Sequence, residues 1–164
     1  MMDMTWTEQL SVGNAVIDSD HKKLMELVND IGSLAEGKDS FELSLALKLF
    51  KSCMNSHSIN EEQFAQALNF PFGLHKLAHQ NMQTEIDFTE YELKKNSVAP
   101  TIFVMEHYPQ FLRDWLIKHI TEEDMLMKPA LQAYPYDFKI GETYAWVHAG
   151  RTGNKVAALQ RPSR

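Results

Sequence analysis

Seven side chains carry the chemistry this sequence offers. His57 and Glu61 stand four residues apart, and so do His75 and His79. On an α-helix that interval sets both members of a pair on one face, one above the other. His21 lies upstream. His119 lies downstream, and Asp124 follows it by five residues. Five imidazoles and two carboxylates are too many donors for one tetrahedral zinc. They suit two octahedral ions with both carboxylates between them, and bridging carboxylates favour the harder, iron-like metals.

Taken singly, each group has an ordinary reading. A core histidine such as His21 is more often a satisfied residue than a ligand. His57 and Glu61 alone could be a surface pair at helical spacing. Together they differ, because every one falls on the apolar stripe of a helix. A buried ionised carboxylate without a partner costs several kcal/mol. Seven such groups would exceed a whole domain's stability of ~5–15 kcal/mol. Metal satisfies them together, since neutral imidazole and carboxylate are the forms it binds.

The elements that must position them follow from periodicity. Met1 to Ser19 reads as an arm with a turn at Gly13-Asn14. The first helix is expected with Asp18 or Ser19 as N-cap and Gly37 as its stop. Its stripe is Ile17, His21, Leu24, Met25, Val28, Ile31 and Ala35. Asp39 or Ser40 is expected to cap the second helix, whose stripe is Phe50, Cys53, Met54, His57, Glu61 and Phe64. Asn69-Phe70-Pro71 breaks the pattern. Phe72, His75, His79, Met82 and Ile86 mark the third helix, which fades at Lys94-Lys95-Asn96. The fourth carries Tyr108, Leu112, Trp115, Leu116 and His119. Pro100 is placed near its start, Pro109 marks a kink or its true first turn, and it should end before Pro129.

Four amphipathic segments joined by short loops predict an all-α, up-down-up-down four-helix bundle. The division is a bundle over residues 1–128 and a C-terminal extension over 129–164. Within the extension, Thr143 to Val147 reads as a short strand or helix fragment. One spacing resists regular geometry. His119 and Asp124 are ~140° apart around an ideal helix. Both point inward only with an extra residue in the turn, so a π-bulge is predicted between them.

Composition excludes other classes. The chain has 164 residues, 44% apolar and 23% charged, with a net charge of −6, as expected for one soluble domain. From Pro129 on, Lys139, Arg151, Lys155, Arg161 and Arg164 outnumber Asp137 and Glu142. The acidic excess therefore lies in the bundle, which argues against nucleic-acid binding there. No apolar run approaches the ~18–20 residues of a membrane span, and no leader is evident. The single cysteine, Cys53, fits a reducing compartment, so a cytoplasmic location is expected.

The chain resembles the hemerythrin family, specifically its bacterial branch. The likeness rests on Trp6, Ser11-Val12-Gly13, and Ile17-Asp18-Ser19-Asp20-His21-Lys22. It continues through His57 with Glu61-Glu62, then His75 with His79. Last comes Asp114-Trp115-Leu116-Ile117-Lys118-His119-Ile120 with Asp124. It implies one iron on His75, His79 and His119 and another on His21 and His57. Glu61, Asp124 and an oxo or hydroxo group would bridge them. In that family O2 takes the open position, reversibly, as both irons pass from Fe2+ to Fe3+. Leu24, Trp115 and Leu116, each one turn from a ligand, are the expected lining, with Ser58 beside them. Ser58 and Met82 stand where the family usually has aromatics. His107 and His148 match no motif position and are read as non-ligands.

The leading function is therefore a non-enzymatic O2 carrier, buffer or sensor. One alternative is a di-iron enzyme acting on peroxide, nitric oxide or ferrous iron. The ferritin-like carboxylate enzymes are excluded, because no Glu stands three residues before a histidine. The other alternative is an O2-responsive switch that binds a partner.

Overall fold

Asn14 starts the first helix. Its side-chain oxygen accepts from the backbone N–H groups of Val16 (3.0 Å) and Ile17 (3.3 Å), so α1 runs Ala15–Gly37. The N-cap is thus Asn14, not Asp18 or Ser19. Gly13, at φ +89°, swings Asn14 into capping position. Asp18 is buried inside the helix's first turns and holds the arm instead. It accepts from Ser11 Oγ at 2.5 Å and from the Val12 N–H at 2.9 Å. Further out, Met4 and Asn29 exchange two hydrogen bonds of 2.8 and 2.9 Å.

The computed structural model describes residues 3–37, 40–95 and 107–141. Asp39, the Ser40 side chain, Pro100, His148 and the Thr143–Val147 fragment, on which the remaining expectations fall, lie outside what is described. After α1 come α2 (Ser40–Ala67), α3 (Gly73–Lys95) and α4 (Tyr108–Lys118). These four helices form an all-α bundle, with no strand among the described residues.

The α2–α3 turn is a Schellman motif. Phe70 N–H bonds Ala65 O at 2.8 Å and Asn69 N–H bonds Gln66 O, with Asn69 at φ +53°. Pro71 precedes α3, and Phe72 provides the carbonyl that Lys76 N–H meets. Lys51 pairs with Asp87, and Lys76 with Glu62, so α2 and α3 run antiparallel. Pro109 lies in the first turn of α4, where its missing N–H leaves no bond unmade.

The path does not stop before Pro129, contrary to expectation. A π-turn over His119–Glu123, a 3-10 turn over Asp124–Met127 and α5 (Lys128–Leu131) carry it on. Pro129 sits at the start of α5, a position that needs no donor. Residues beyond it fasten to the start of α1. Ala15 N–H donates to Tyr136 O and Asn14 Nδ2 to Phe138 O, both at 2.8 Å.

The apolar interior has two parts. The larger holds Leu24, Met25, Phe50, Met54, Met82, Ile86, Leu112 and Leu116. The smaller holds Val12, Ile17, Phe64, Met127, Leu131 and Phe138. Each fully buried side chain of this size contributes roughly 1.5–3 kcal/mol. Along every inward stripe that reaches both parts, the polar residues fall between them. His21 follows Ile17 and precedes Leu24; His57 and Glu61 lie between Met54 and Phe64. The bundle is therefore two greasy plugs with one polar layer between them.

Candidate metal centre

All seven sequence-predicted groups come together in that layer. His75 is 7% exposed and the other six are no more than 1% exposed. α1 supplies His21, α2 supplies His57 and Glu61, and α3 supplies His75 and His79. His119 and Asp124 bracket the π-turn after α4. Because the turn holds one residue more than an α-turn, both reach inward. His119 Nε2 lies 3.1 Å from Asp124 Oδ1.

The imidazoles sort into a trio and a pair. His119 Nε2 is 3.3 Å from His75 Nε2 and 2.7 Å from His79 Nε2. Two nitrogens ~2.1 Å from one ion, at right angles, would stand ~3 Å apart. The observed separations bracket that value. His21 and His57 lie across the layer, with ring centroids 4.9 Å apart.

The carboxylates stand between the two sets. Asp124 turns Oδ2 toward His21 (2.8 Å) and Oδ1 toward His75 (3.0 Å) and His119. Glu61 Oε2 approaches His75 at 3.0 Å, His57 at 3.3 Å and His79 at 3.4 Å. These are ion-pair distances without hydrogen-bond alignment. Both oxygens of Glu61 and Asp124, and both nitrogens of His21 and His57, remain without a hydrogen-bond partner.

That geometry explains the electrostatics of the metal-free layer. Burial, then the Asp124 charge, push Glu61 up to about 7. Burial opposes a proton on His75, but Asp124 and Glu61 outweigh it and raise His75 to about 10. His79 is lowered to about 2 by burial, then by His119 and His75. His57 falls well below its ordinary value through burial and the neighbouring His21. Burial works against Asp124 ionising, yet His119, His21 and His75 prevail and hold it low. Seven buried groups with opposed demands and many orphaned atoms fit a layer able to hold positive metal ions. Among the described residues, the groups able to hold an ion all fall here, and each includes Glu61.

The chain matches the Hemerythrin HHE cation binding domain over residues 12–131. It belongs to the hemerythrin family. Among hemerythrins, it is 27% identical to the bacteriohemerythrin of Methylococcus capsulatus over 132 residues. That alignment covers 79% of this chain and 98% of the relative. It is 24% identical to a bacteriohemerythrin of Pseudomonas aeruginosa, covering 76% and 78%. A crystal structure of wild-type hemerythrin superposes with a TM-score of 0.70 at 25% identity, covering 78% of this chain and 97% of that one.

The expected lining divides on inspection. Leu24 and Leu116 are fully buried in the larger plug. Trp115 is half-buried and stacks on the His119 ring, centroids 4.6 Å apart and planes 11° from parallel. Ser58 is half-buried and follows His57, so it points about 100° round the helix from it. His107 is exposed and belongs to none of the metal-capable groups. Two further neighbours were missed in the sequence, and a third, Phe72, was read only as part of the third helix's stripe. Phe72 packs its ring 4.5 Å from His75. Glu123 lies 3.2 Å from His119 Nδ1, and Asp20 lies 3.9 Å from His57 Nδ1. Only hydrophobic periodicity hints at Phe72. Asp20 enters the sequence reading only as part of the Ile17 to Lys22 motif, with no role of its own, and no pattern marks Glu123.

Proposed function

We propose that this hemerythrin binds O2 reversibly at a di-iron centre and acts as a carrier, buffer or sensor rather than as an enzyme. The observation that carries this reading is the split of Asp124, one oxygen toward His21 and the other toward His75 and His119. His75, His79 and His119 would hold one iron, and His21 and His57 the other, with Glu61 and Asp124 shared. Two ferrous ions bound there would supply the two electrons that O2 takes up. The names of the bacteriohemerythrin relatives support the same reading.

The chain's own residues do the rest. Five nitrogens and two shared carboxylates, with an oxo or hydroxo group shared between the ions, would leave one position of two octahedral ions free for a diatomic ligand. The pair His21 and His57 is the short-handed side. Leu24 and Leu116 close the layer from one end, and Ile17, Phe64 and Phe138 from the other. A dry enclosure of this kind slows water entry and loss of the bound ligand. Residues 1–128 are the metal-holding unit in this reading, and the 129–164 extension is an addition to it.

Reduced, iron-loaded protein exposed to O2 in a stopped-flow cell tests the proposal. A long-lived absorption band that argon removes supports reversible binding. Rapid consumption of added peroxide or nitric oxide, with no such band, supports the enzyme reading instead.

A further inference from the structure

His119 is held from both sides by consecutive carboxylates. Its Nε2 meets Asp124 Oδ1 at 3.1 Å, and its Nδ1 meets Glu123 Oε2 at 3.2 Å. A regular helix could not do this, because it brings residues three and four positions on near the imidazole but turns the fifth away. The π-turn over His119–Glu123 lets positions four and five both serve one ring. Trp115, stacked on the ring's face, removes the remaining freedom to tilt.

His57 repeats the pattern on the other side of the layer. Its Nε2 faces Glu61 Oε2 at 3.3 Å, and its Nδ1 faces Asp20 Oδ2 at 3.9 Å. Asn60, one turn nearer the end of α2, donates to that same Asp20 oxygen at 2.8 Å. Asp20 is thus tied to α2 although it belongs to α1. Glu123 is 34% exposed and His119 holds its carboxyl below its ordinary value; Asp20 is 25% exposed and burial raises its carboxyl, with Asn60 and His21 pulling the other way. The Nδ1 atoms of His21, His57, His79 and His119 are all buried without an aligned hydrogen bond, but only those of His57 and His119 have a carboxylate within ion-pair distance.

We infer that Glu123 and Asp20 are positioning residues, each set within ion-pair distance of the outward nitrogen of one ligand imidazole, one on either side of the metal layer. A carboxylate in that place fixes the imidazole's tautomer and orientation and strengthens its inner nitrogen as a donor. Its negative charge also favours the more oxidised metal. The longer Asp20 approach makes its effect the smaller of the two. The inference rests on the di-iron reading.

The test compares E123Q, D20N and E122Q. Glu122 is 63% exposed and pairs only loosely with Lys118, at 3.9 Å, so E122Q removes the same charge next door without touching a ligand. Iron affinity is measured by competition with a chelator, and the ferric/ferrous midpoint by redox titration. E123Q should weaken iron binding roughly 10–100-fold and raise the midpoint. D20N should move both in the same direction by less, and E122Q should move neither. Metal-free melting temperatures should agree across the set, which separates positioning from folding. E123Q behaving like E122Q in affinity and midpoint would overturn the inference. Wild-type protein that takes up no iron would instead bring down the di-iron reading, and the inference with it.

Discussion

His119 and Asp124 face each other at 3.1 Å although five residues separate them. The extra residue of the π-turn makes this possible, and the centre is complete only because of it. Deleting Thr121, an exposed residue inside the turn, should restore a regular helix and put Asp124 four positions after His119, still on the inward face. The expected outcome is a folded, helical protein that still binds iron. Circular dichroism and metal analysis check it; loss of iron after the deletion would mean that an inward Asp124 is not enough and the π-turn itself is required.

His79 belongs to the closest contact in the layer, 2.7 Å between its Nε2 and that of His119. His79→Ala should cost iron first and stability only through iron. A ligand present at about 1,000 times its Kd adds ~4.1 kcal/mol. Thermal melts of loaded wild-type protein should therefore lie well above those of His79→Ala. Melts of the two metal-free proteins should nearly coincide.

The metal-free layer makes stability depend on pH in a way that metal should abolish. His75, raised from 6.5 to about 10, contributes stability that is complete below pH 6.5 and lost as pH rises toward 10. Glu61, raised from 4.5 to about 7, contributes below pH 4.5 and loses that contribution as pH rises through 7. His79, lowered from 6.5 to about 2, works the other way. The unfolded chain takes its proton below pH 6.5 and the folded chain does not, so stability falls as pH drops from 6.5. Urea midpoints of metal-free protein should therefore fall from pH 7 to 10, and those of iron-loaded protein should stay nearly level. Loading at pH 7 should also release protons, because His75 and part of Glu61 must give theirs up. An unbuffered pH measurement during titration reads this directly.

Phe138 closes the smaller plug against Phe64 and Tyr134, with ring centroids 6.0 and 4.5 Å away. Phe138→Ala should destabilise the fold by about 3 kcal/mol, the lower end for such a truncation. It should also let water reach the polar layer and shorten the lifetime of any O2 complex. Unfolding curves and the decay of the oxygenated spectrum measure the two effects separately.

Periodicity and spacing made most of the bundle legible in advance. Ile17, His21, Leu24, Val28 and Ile31 all lie buried on α1, as their intervals require. The interval between His119 and Asp124 foretold the π-turn, because only an irregular helix turns both inward. Helix ends were harder. Asp18 looked like a cap, yet its carboxylate is spent on Ser11 and Val12, and Asn14 caps instead. That choice depends on Gly13's positive φ, which sequence suggests only as a turn. Pro129 looked like a stop, but a helix that restarts at Lys128 accepts it in its first turn. Glu123 and Asp20 were invisible as partners, because their roles come from the π-turn and from α1 lying against α2. No local pattern encodes those contacts.

The most direct measurement of the central claim is iron per chain, taken with the absorption spectrum of the same sample in air and under argon. The account predicts two irons per chain and near-ultraviolet charge-transfer bands that change reversibly with O2. Protein that stays colourless and iron-free after loading, while its circular dichroism remains fully helical, would contradict it.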